Sequence, residues 1–261
     1  MVVLLSLKTK PNKLKQKLMK TVSKIATLLA LALITLSSCA QSWNNKGIKG
    51  NGNVTTETVK VADYDEINAV GSMNVTLVKG TEGAIKVTTD ENLQEYVDIT
   101  SSGGKLSISL TKKGWLRTKK GINIQVPFMD LDNISLVGSG YVSSKATIKA
   151  SQMDISVTGS GDMDLTIEAE NLDGNLSGSG DIRLQGKATN FKAKVSGSGD
   201  LDARALDAQY TEAFVAGSGD LQVNAKKSIK ARVNGSGDIS YSGNPDKVDT
   251  KISGSGDIDA N

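Results

Sequence analysis

The sequence predicts an all-β fold: a parallel β-helix, or β-solenoid, with two main sheets joined at Gly-Ser-Gly-(Asp) turns and one coil for about every 19 residues. The first observation is the repeat itself, since Gly-Ser-Gly-Asp occurs six times and Gly-Ser-Gly-Tyr precedes it once. The second is the interval between copies, which is 21, 19, 19, 20, 18 and 19 residues. The third is the alternation of apolar and polar residues around each copy, which is typical of β-strands. So constant an interval indicates one unit stacked on itself.

Each copy of the repeat is predicted to be a sharp turn between two strands. Glycine permits the positive φ that such a turn needs, and Ser or Asp side chains can accept hydrogen bonds from nearby N–H groups. The predicted turn glycines are Gly138, Gly140, Gly159, Gly161, Gly178, Gly180, Gly197, Gly199, Gly217, Gly219, Gly235, Gly237, Gly254 and Gly256.

Fixed positions before the turn are predicted to form the core. Two residues before the first Gly stands an aliphatic residue in every copy: Leu136, Val157, Leu176, Val195, Val215, Val233 and Ile252. A slip of one residue would expose this whole set, so the register is strongly specified. The return between strands is predicted to be looser, as at residues 168–171 and 242–245. An antiparallel meander is the alternative, but the constant full period favours the solenoid.

Residues 61–130 predict β-structure without the regular repeat, ahead of the regular solenoid at 131–261. Strands are expected at 66–70, 73–78, 84–89, 105–110 and 121–126, with a short helical turn at 90–96. Gly71-Ser72 resembles a worn copy of the turn. This segment is either a set of longer first coils or a separate cap. At the C-terminal end, an uncovered sheet edge predicts pairing with a second copy of the chain.

The first 38 residues are typical of a bacterial lipoprotein signal peptide. Residues 1–39 contain seven Lys and no acid, and the apolar run 25–36 is too short to span a membrane. Leu36-Ser37-Ser38-Cys39 resembles a lipobox, which predicts cleavage before Cys39 and attachment of lipid to its thiol. A buried free Cys is the alternative. Translation from Met19 would omit residues 1–18.

Residues 39–60 are then predicted to hold the lipidated Cys and a flexible tether, because 40–53 is polar and rich in Gly and Asn. Without residues 1–39 the chain carries 31 − 7 = 24 basic and 28 acidic residues, a net charge of −4. This balance gives no support for nucleic-acid binding.

Composition argues against an enzyme. The chain has no histidine, which excludes Ser-His-Asp and Cys-His nucleophiles and His-ligated zinc. No catalytic residue and no cofactor is predicted. A carbohydrate-active enzyme is the alternative, since glycosidases need only two carboxylates. The acids of this chain, however, fall in regular series rather than as an isolated pair.

The sharpest candidate site is the acid that follows each turn. These residues are Asp162, Asp181, Asp200, Asp220, Asp238 and Asp257. Stacked turns would place their carboxylates ~5 Å apart along one edge. These six residues, called the acid file below, are predicted either to cap the turns or to bind Ca²⁺ between coils. Ca²⁺ is coordinated by six or more oxygen ligands, and the Gly-Ser-Gly segment supplies few, so turn-capping is favoured.

A second local feature is the basic cluster of residues 112–120, which surrounds Trp115. Basic residues around Trp can contact anionic lipid or polysaccharide. The alternative is a solvated hairpin loop between the strands at 105–110 and 121–126.

The chain also resembles a known family. Residues 66–71 (EINAVG), 73–80 (MNVTLVKG), 90–93 (DENL) and the Gly-Ser-Gly series are similar to the putative auto-transporter adhesin, head GIN domain family of Bacteroidetes-type bacteria. The resemblance covers residues 63–259. It implies a right-handed β-superhelix similar to pectin-lyase-like folds, an exported protein and an adhesive role. It supplies no catalytic or binding residues.

Together these features predict a non-enzymatic, lipid-anchored protein of the cell envelope. It would be held to the outer membrane through Cys39 and would act as an adhesin or interaction scaffold for a protein or glycan surface. The alternative is a periplasm-facing structural or sensory lipoprotein that binds an envelope component.

Overall fold

The computed structural model describes residues 47–111 and 116–261. The predicted signal peptide and Cys39 therefore lie outside the described residues. From Gly47 to Asn261 the chain forms one compact unit. Within the described ranges, no helix has the length and apolar character needed to cross a membrane.

Among its described residues, the N-terminal part of this unit contains nine strands and a 3-10 helix. The strands are β1 (Ile48–Lys49), β2 (Val54–Lys60), β3 (Tyr64–Gly71), β4 (Asn74–Lys79), β5 (Ala84–Asp90), β6 (Val97–Ser102), β7 (Gly104–Leu110), β8 (Leu116–Arg117) and β9 (Asn123–Phe128). The helix, Glu91–Tyr96, occupies the place where the sequence predicted a helical turn.

The C-terminal part contains ten more strands, and they lengthen once the repeat is regular. They are β10 (Asn133–Gly138), β11 (Tyr141–Ser144), β12 (Ile148–Gly159), β13 (Asp162–Gly178), β14 (Ile182–Gly197), β15 (Leu201–Gly217), β16 (Leu221–Gly235), β17 (Ile239–Ser242), β18 (Lys247–Gly254) and β19 (Ile258–Ala260).

The coils stack in parallel, and the first glycine of each turn stands in one file. Neighbouring strands pair Gly71 with Gly138, Gly138 with Gly159, and so on to Gly254 without a slip at this position. The parallel solenoid is therefore confirmed and the antiparallel meander is wrong for the repeat region. Gly71, predicted as a worn copy of the turn, belongs to the file.

A regular coil is one long bent strand. In β13 the side chains of Leu165 and Ile167 are buried, and burial resumes at Leu172 on the other sheet. The change from odd to even positions marks the return corner, where Glu170 is omitted from the pairing with β14. The looser return predicted at 168–171 is wrong because both neighbours pair almost continuously through this corner. At 242–245, by contrast, strand β17 ends and Asn244 has a φ of 55°.

The aliphatic set before each turn fills the core. Six of its seven members, from Leu136 to Val233, are at most 2% exposed. The seventh, Ile252, is 44% exposed because it lies in the outermost long strand, β18, whose residues are all exposed. Neighbouring coils thus bury each other's apolar faces, as a solenoid requires.

The N-terminal strands add a layer out of chain order. Strand β3 pairs in parallel with β10 on one side and with β7 on the other. Strand β4 likewise pairs with β11 and β9. The layer made by β7 and β9 therefore lies outside the earlier layer made by β3 and β4. A hairpin between residues 105–110 and 121–126 is wrong, since each strand pairs with other partners.

Three antiparallel pairings flank this outer layer: β2 with β5, β5 with β9, and β6 with β7. Strand β2 corrects the predicted extent of the flexible tether, because Val54–Lys60 pairs with β5 along its whole length. The hydroxyls of Thr56 and Thr88 lie 2.8 Å apart across this pair, and Val59 packs against the core.

Candidate interaction surface

Close stacking of the coils excludes a Cβ at both glycines of each turn, and the first glycine is also required by its backbone conformation. The first of each pair from Gly138 to Gly254 has a φ between +121° and +144°, which a side chain rarely tolerates. The second has no such φ. A Cβ on Gly180 would lie 1.9 Å from the carbonyl oxygen of Gly161 in the preceding coil. Positive φ, the reason inferred from sequence, explains only the first glycine.

The acids after the turns link successive coils through their own backbone. The N–H of Asp181 donates to Oδ1 of Asp162 over 2.9 Å, and the same bond recurs in each later coil at 2.8–3.3 Å. One oxygen of each carboxylate from Asp162 to Asp238 is thus engaged by the coil that follows. In the described ranges, no group of three His, Cys, Asp or Glu side chains could hold a metal ion. These bonds join each coil to the next, whereas the sequence prediction had each acid cap its own turn.

Two outward columns alternate in charge along the stack. One runs Asp173, Lys192, Glu212, Lys230, Asp249 in paired register. The other runs Lys149, Glu168, Lys187, Asp207. Lys149 and Glu168 approach to 3.0 Å, and Lys230 and Glu212 to 3.7 Å. Each such exposed pair contributes little energy. The alternation still favours the observed order of the coils, because pairing a coil with the next coil but one would place like charges opposite each other.

A groove of about 620 Å³ follows the return corner across five coils. Its exposed rim carries amides, acids, amines and one aromatic ring. Tyr210 is 45% exposed, and Nζ of Lys227 lies 5.6 Å from its ring centroid. The lining residues are Asn171, Asp173, Asn190, Phe191, Lys192, Tyr210, Thr211, Glu212, Ser228, Ile229, Lys230, Lys247, Val248 and Asp249.

Hydrogen bonds hold parts of the groove in place. Nδ2 of Asn190 donates to Oδ1 of Asn171 over 2.9 Å. At the other end, Arg232 donates to Asp249, and this contact holds the pKa of the Asp249 carboxyl below its ordinary value. The groove therefore offers fixed donors and acceptors beside an exposed ring, which suits a ligand with hydroxyl groups and one apolar face.

Sequence reasoning missed this groove because its residues come from five coils, with equivalent positions 18 to 20 residues apart. One signal was present. When the coils are aligned on their turns, Tyr210 occupies the column of Asn171, Asn190 and Ser228, where the other coils carry small or polar residues.

The other predicted sites are separated from the groove in the fold. The acid file lies at the Gly-Ser-Gly edge, and the groove lies at the return corner. Of the basic cluster, residues 112–115 lie outside the described ranges, while Leu116–Arg117 form β8 and pair in parallel with β1.

Comparison with known proteins gives a consistent result. The family model described as putative auto-transporter adhesin, head GIN domain, matches residues 63–245. None of the curated proteins matches the chain.

Several solved structures are similar. A putative adhesin from Bacteroides fragilis has 27% identity and a TM-score of 0.79, over 82% of this chain and 100% of that one. A putative lipid binding protein from Parabacteroides distasonis has 31% identity and a TM-score of 0.69, over 82% and 99%. A putative adhesin from the same species has 25% identity and a TM-score of 0.66, over 82% and 99%.

Proposed function

Because the chain belongs to the putative auto-transporter adhesin, head GIN domain family, we propose that it is a non-enzymatic adhesion module that binds a glycan in the groove around Tyr210. The family and its similar structures carry adhesin descriptions, which suggest a protein of the cell envelope or surface. In this proposal Cys39 carries the lipid anchor and the solenoid presents the groove.

The observation that carries the proposal is the exposed Tyr210 ring among fixed polar groups. Sugar rings have an apolar face that stacks on an aromatic ring, and their hydroxyls exchange hydrogen bonds with amides and carboxylates. Asn171, Asn190 and Glu212 supply such groups in the same groove. Its volume, about 620 Å³, lies within the roughly 300–1,000 Å³ typical of ligand sites.

The groove supports binding better than catalysis. Its acids belong to a column in which they alternate with lysines, and Lys230 and Glu212 approach to 3.7 Å. A glycosidase instead needs one acid whose pKa is raised, so that it can protonate the leaving group. The pKa of Asp249 is lowered by Arg232.

The test is binding of the protein to a panel of mucin O-glycans, matrix glycosaminoglycans and bacterial polysaccharides. Tyr210→Ala is expected to weaken binding of the recognised glycan at least about 10-fold, the usual cost of losing an aromatic anchor. Tyr141→Ala is the matched control, because Tyr141 is 39% exposed at the Gly-Ser-Gly edge. Equal binding by Tyr210→Ala and wild type would contradict the proposal.

Lipid is the second ligand class to try, since one relative is described as a putative lipid binding protein.

The localisation of the protein is tested separately from its ligand. Metabolic labelling with a fatty acid, compared between wild type and Cys39→Ser, tests the anchor. Protease treatment of intact cells then distinguishes surface display from a periplasm-facing location.

A further inference from the structure

We propose that a basic patch beside the N-terminal segment contacts anionic phospholipid headgroups of the membrane to which the chain is anchored. The basic patch consists of Lys49, Arg117, Lys119 and Lys120. The inference rests on the lipidation of Cys39 proposed above, and it adds a second, electrostatic contact with the same membrane.

The first observation is that the start of the described chain is docked on the patch. Strand β1 pairs in parallel with β8, which places Lys49 next to Arg117. The N–H of Gly50 then donates to the carbonyl oxygen of Arg117 over 2.8 Å. Two of the four cations are thus neighbours on paired strands.

Asp90 holds the same segment from beneath. Its side chain is 3% exposed, and its Oδ1 accepts the N–H of Gly52 over 2.7 Å. Gly50 passes so close that a Cβ there would lie 2.3 Å from the Asp90 Cγ. The neighbouring Thr118 side chain is the main cause that lowers the pKa of Asp90, while burial opposes it. An ionised Asp90 therefore fixes the segment beside the patch.

The second observation is the short distance along the chain to the anchor. Cys39 precedes Gly47 by eight residues. Eight residues span at most about 28 Å when fully extended. A lipid on Cys39 would therefore keep the docked segment within about 28 Å of the bilayer, so that the patch can approach the headgroups to within the Debye length of about 8–10 Å.

The third observation is the local excess of positive charge. All four side chains of the patch are exposed, and none forms a salt bridge within the described ranges. The nearby acids Asp90 and Glu91 offset only two of these four positive charges. This edge is basic although residues 40–261 carry a net charge of −4. Each Lys or Arg near an anionic bilayer strengthens binding about fivefold.

The test uses residues 39–261 with Cys39→Ser, so that binding through lipid is removed. This chain contains the whole compact unit, and 82% of the present chain corresponds to all of the Bacteroides fragilis structure. Binding is measured by co-sedimentation with vesicles of phosphatidylglycerol and phosphatidylethanolamine, and with vesicles of phosphatidylcholine. The patch variant is Arg117→Glu, Lys119→Glu and Lys120→Glu. The control with equal charge change is Lys60→Glu, Lys194→Glu and Lys251→Glu, at exposed positions elsewhere.

The parent chain with Cys39→Ser and the control are expected to bind the anionic vesicles and not the phosphatidylcholine vesicles. Binding should fall at least about 10-fold in the patch variant and in 0.5 M NaCl. Equal binding to both vesicle types, or equal losses in the two variants, would overturn the proposal, as would binding to heparin without binding to vesicles. Failure of fatty-acid labelling in the native chain would instead reject the anchor, since the vesicle measurement does not depend on it.

Discussion

The Cβ position of Gly199 lies 2.0 Å from the carbonyl oxygen of Gly180 in the preceding coil. The contact is backbone against backbone, so rotation of a side chain cannot relieve it. Because Gly199 does not have a positive φ, close stacking alone demands glycine here. The second glycine of each turn thus permits the close stacking of the coils because it has no Cβ.

Gly199→Ala is therefore expected to lower the free energy of unfolding by about 3 kcal/mol or more, the upper range for overpacking. Gly174→Ala is the matched control, since its Cβ would meet its nearest neighbour at 3.6 Å. Gly174 pairs in register with Ala193, so alanine already fits this column, and a small gain in stability is expected. Urea unfolding measures both, and similar losses in the two variants would contradict this account.

The acid file makes a second prediction, on capping between coils. Asp200→Ala removes the acceptor for the N–H of Asp220, 2.9 Å away, and should cost about 0.5–1.5 kcal/mol of unfolding free energy. Asp200→Asn keeps an acceptor oxygen and should cost less. Asp164→Ala, at an acid outside the file, is the control. A loss in Asp200→Asn as large as in Asp200→Ala would show that charge matters instead of the bond.

The same file gives a prediction about calcium. One oxygen of each bonded acid is engaged by a backbone N–H, and Ca²⁺ needs six or more oxygen ligands. The melting temperature is therefore expected to be the same in millimolar Ca²⁺ and in EDTA. Mg²⁺ at equal ionic strength is the control for general screening. A rise of several degrees with Ca²⁺ alone would restore the calcium site as the reason for the repeated Asp.

The regular coils could be predicted from sequence because one register repeats in them. Val195 and Val215 recur at the same distance from the turn, and this spacing alone places them inside. The outer layer of β7 and β9 could not be predicted, because those strands share no sequence repeat with β3. They come after β3 in the chain, but they lie outside it in the stack of coils. The groove at Tyr210 was missed for a related reason: its residues become neighbours only after the coils are stacked.

The last prediction concerns pH and Asp132, which directly precedes strand β10. Burial raises the pKa of Asp132, and the charges of Asp65 and Glu66 raise it further. The folded protein therefore holds this proton more tightly than the unfolded chain, whose Asp titrates near pH 4. Below the pKa of the unfolded state, Asp132 is protonated in both states and costs no stability. The cost of ionising it in the folded protein grows as the pH rises through the pKa of the folded state, and it is constant above that.

Asp132→Asn should consequently raise the melting temperature at pH 7 and leave it unchanged at pH 3, where both states of the wild-type carboxyl are protonated. The backbone N–H of residue 132 can still donate to the carbonyl oxygen of Asp65 in the variant, so the loop itself is retained. Asp98→Asn removes the same charge on strand β6 and is the control. A gain that is equal at pH 3 and pH 7 would mean that the amide stabilises the fold for reasons other than the proton.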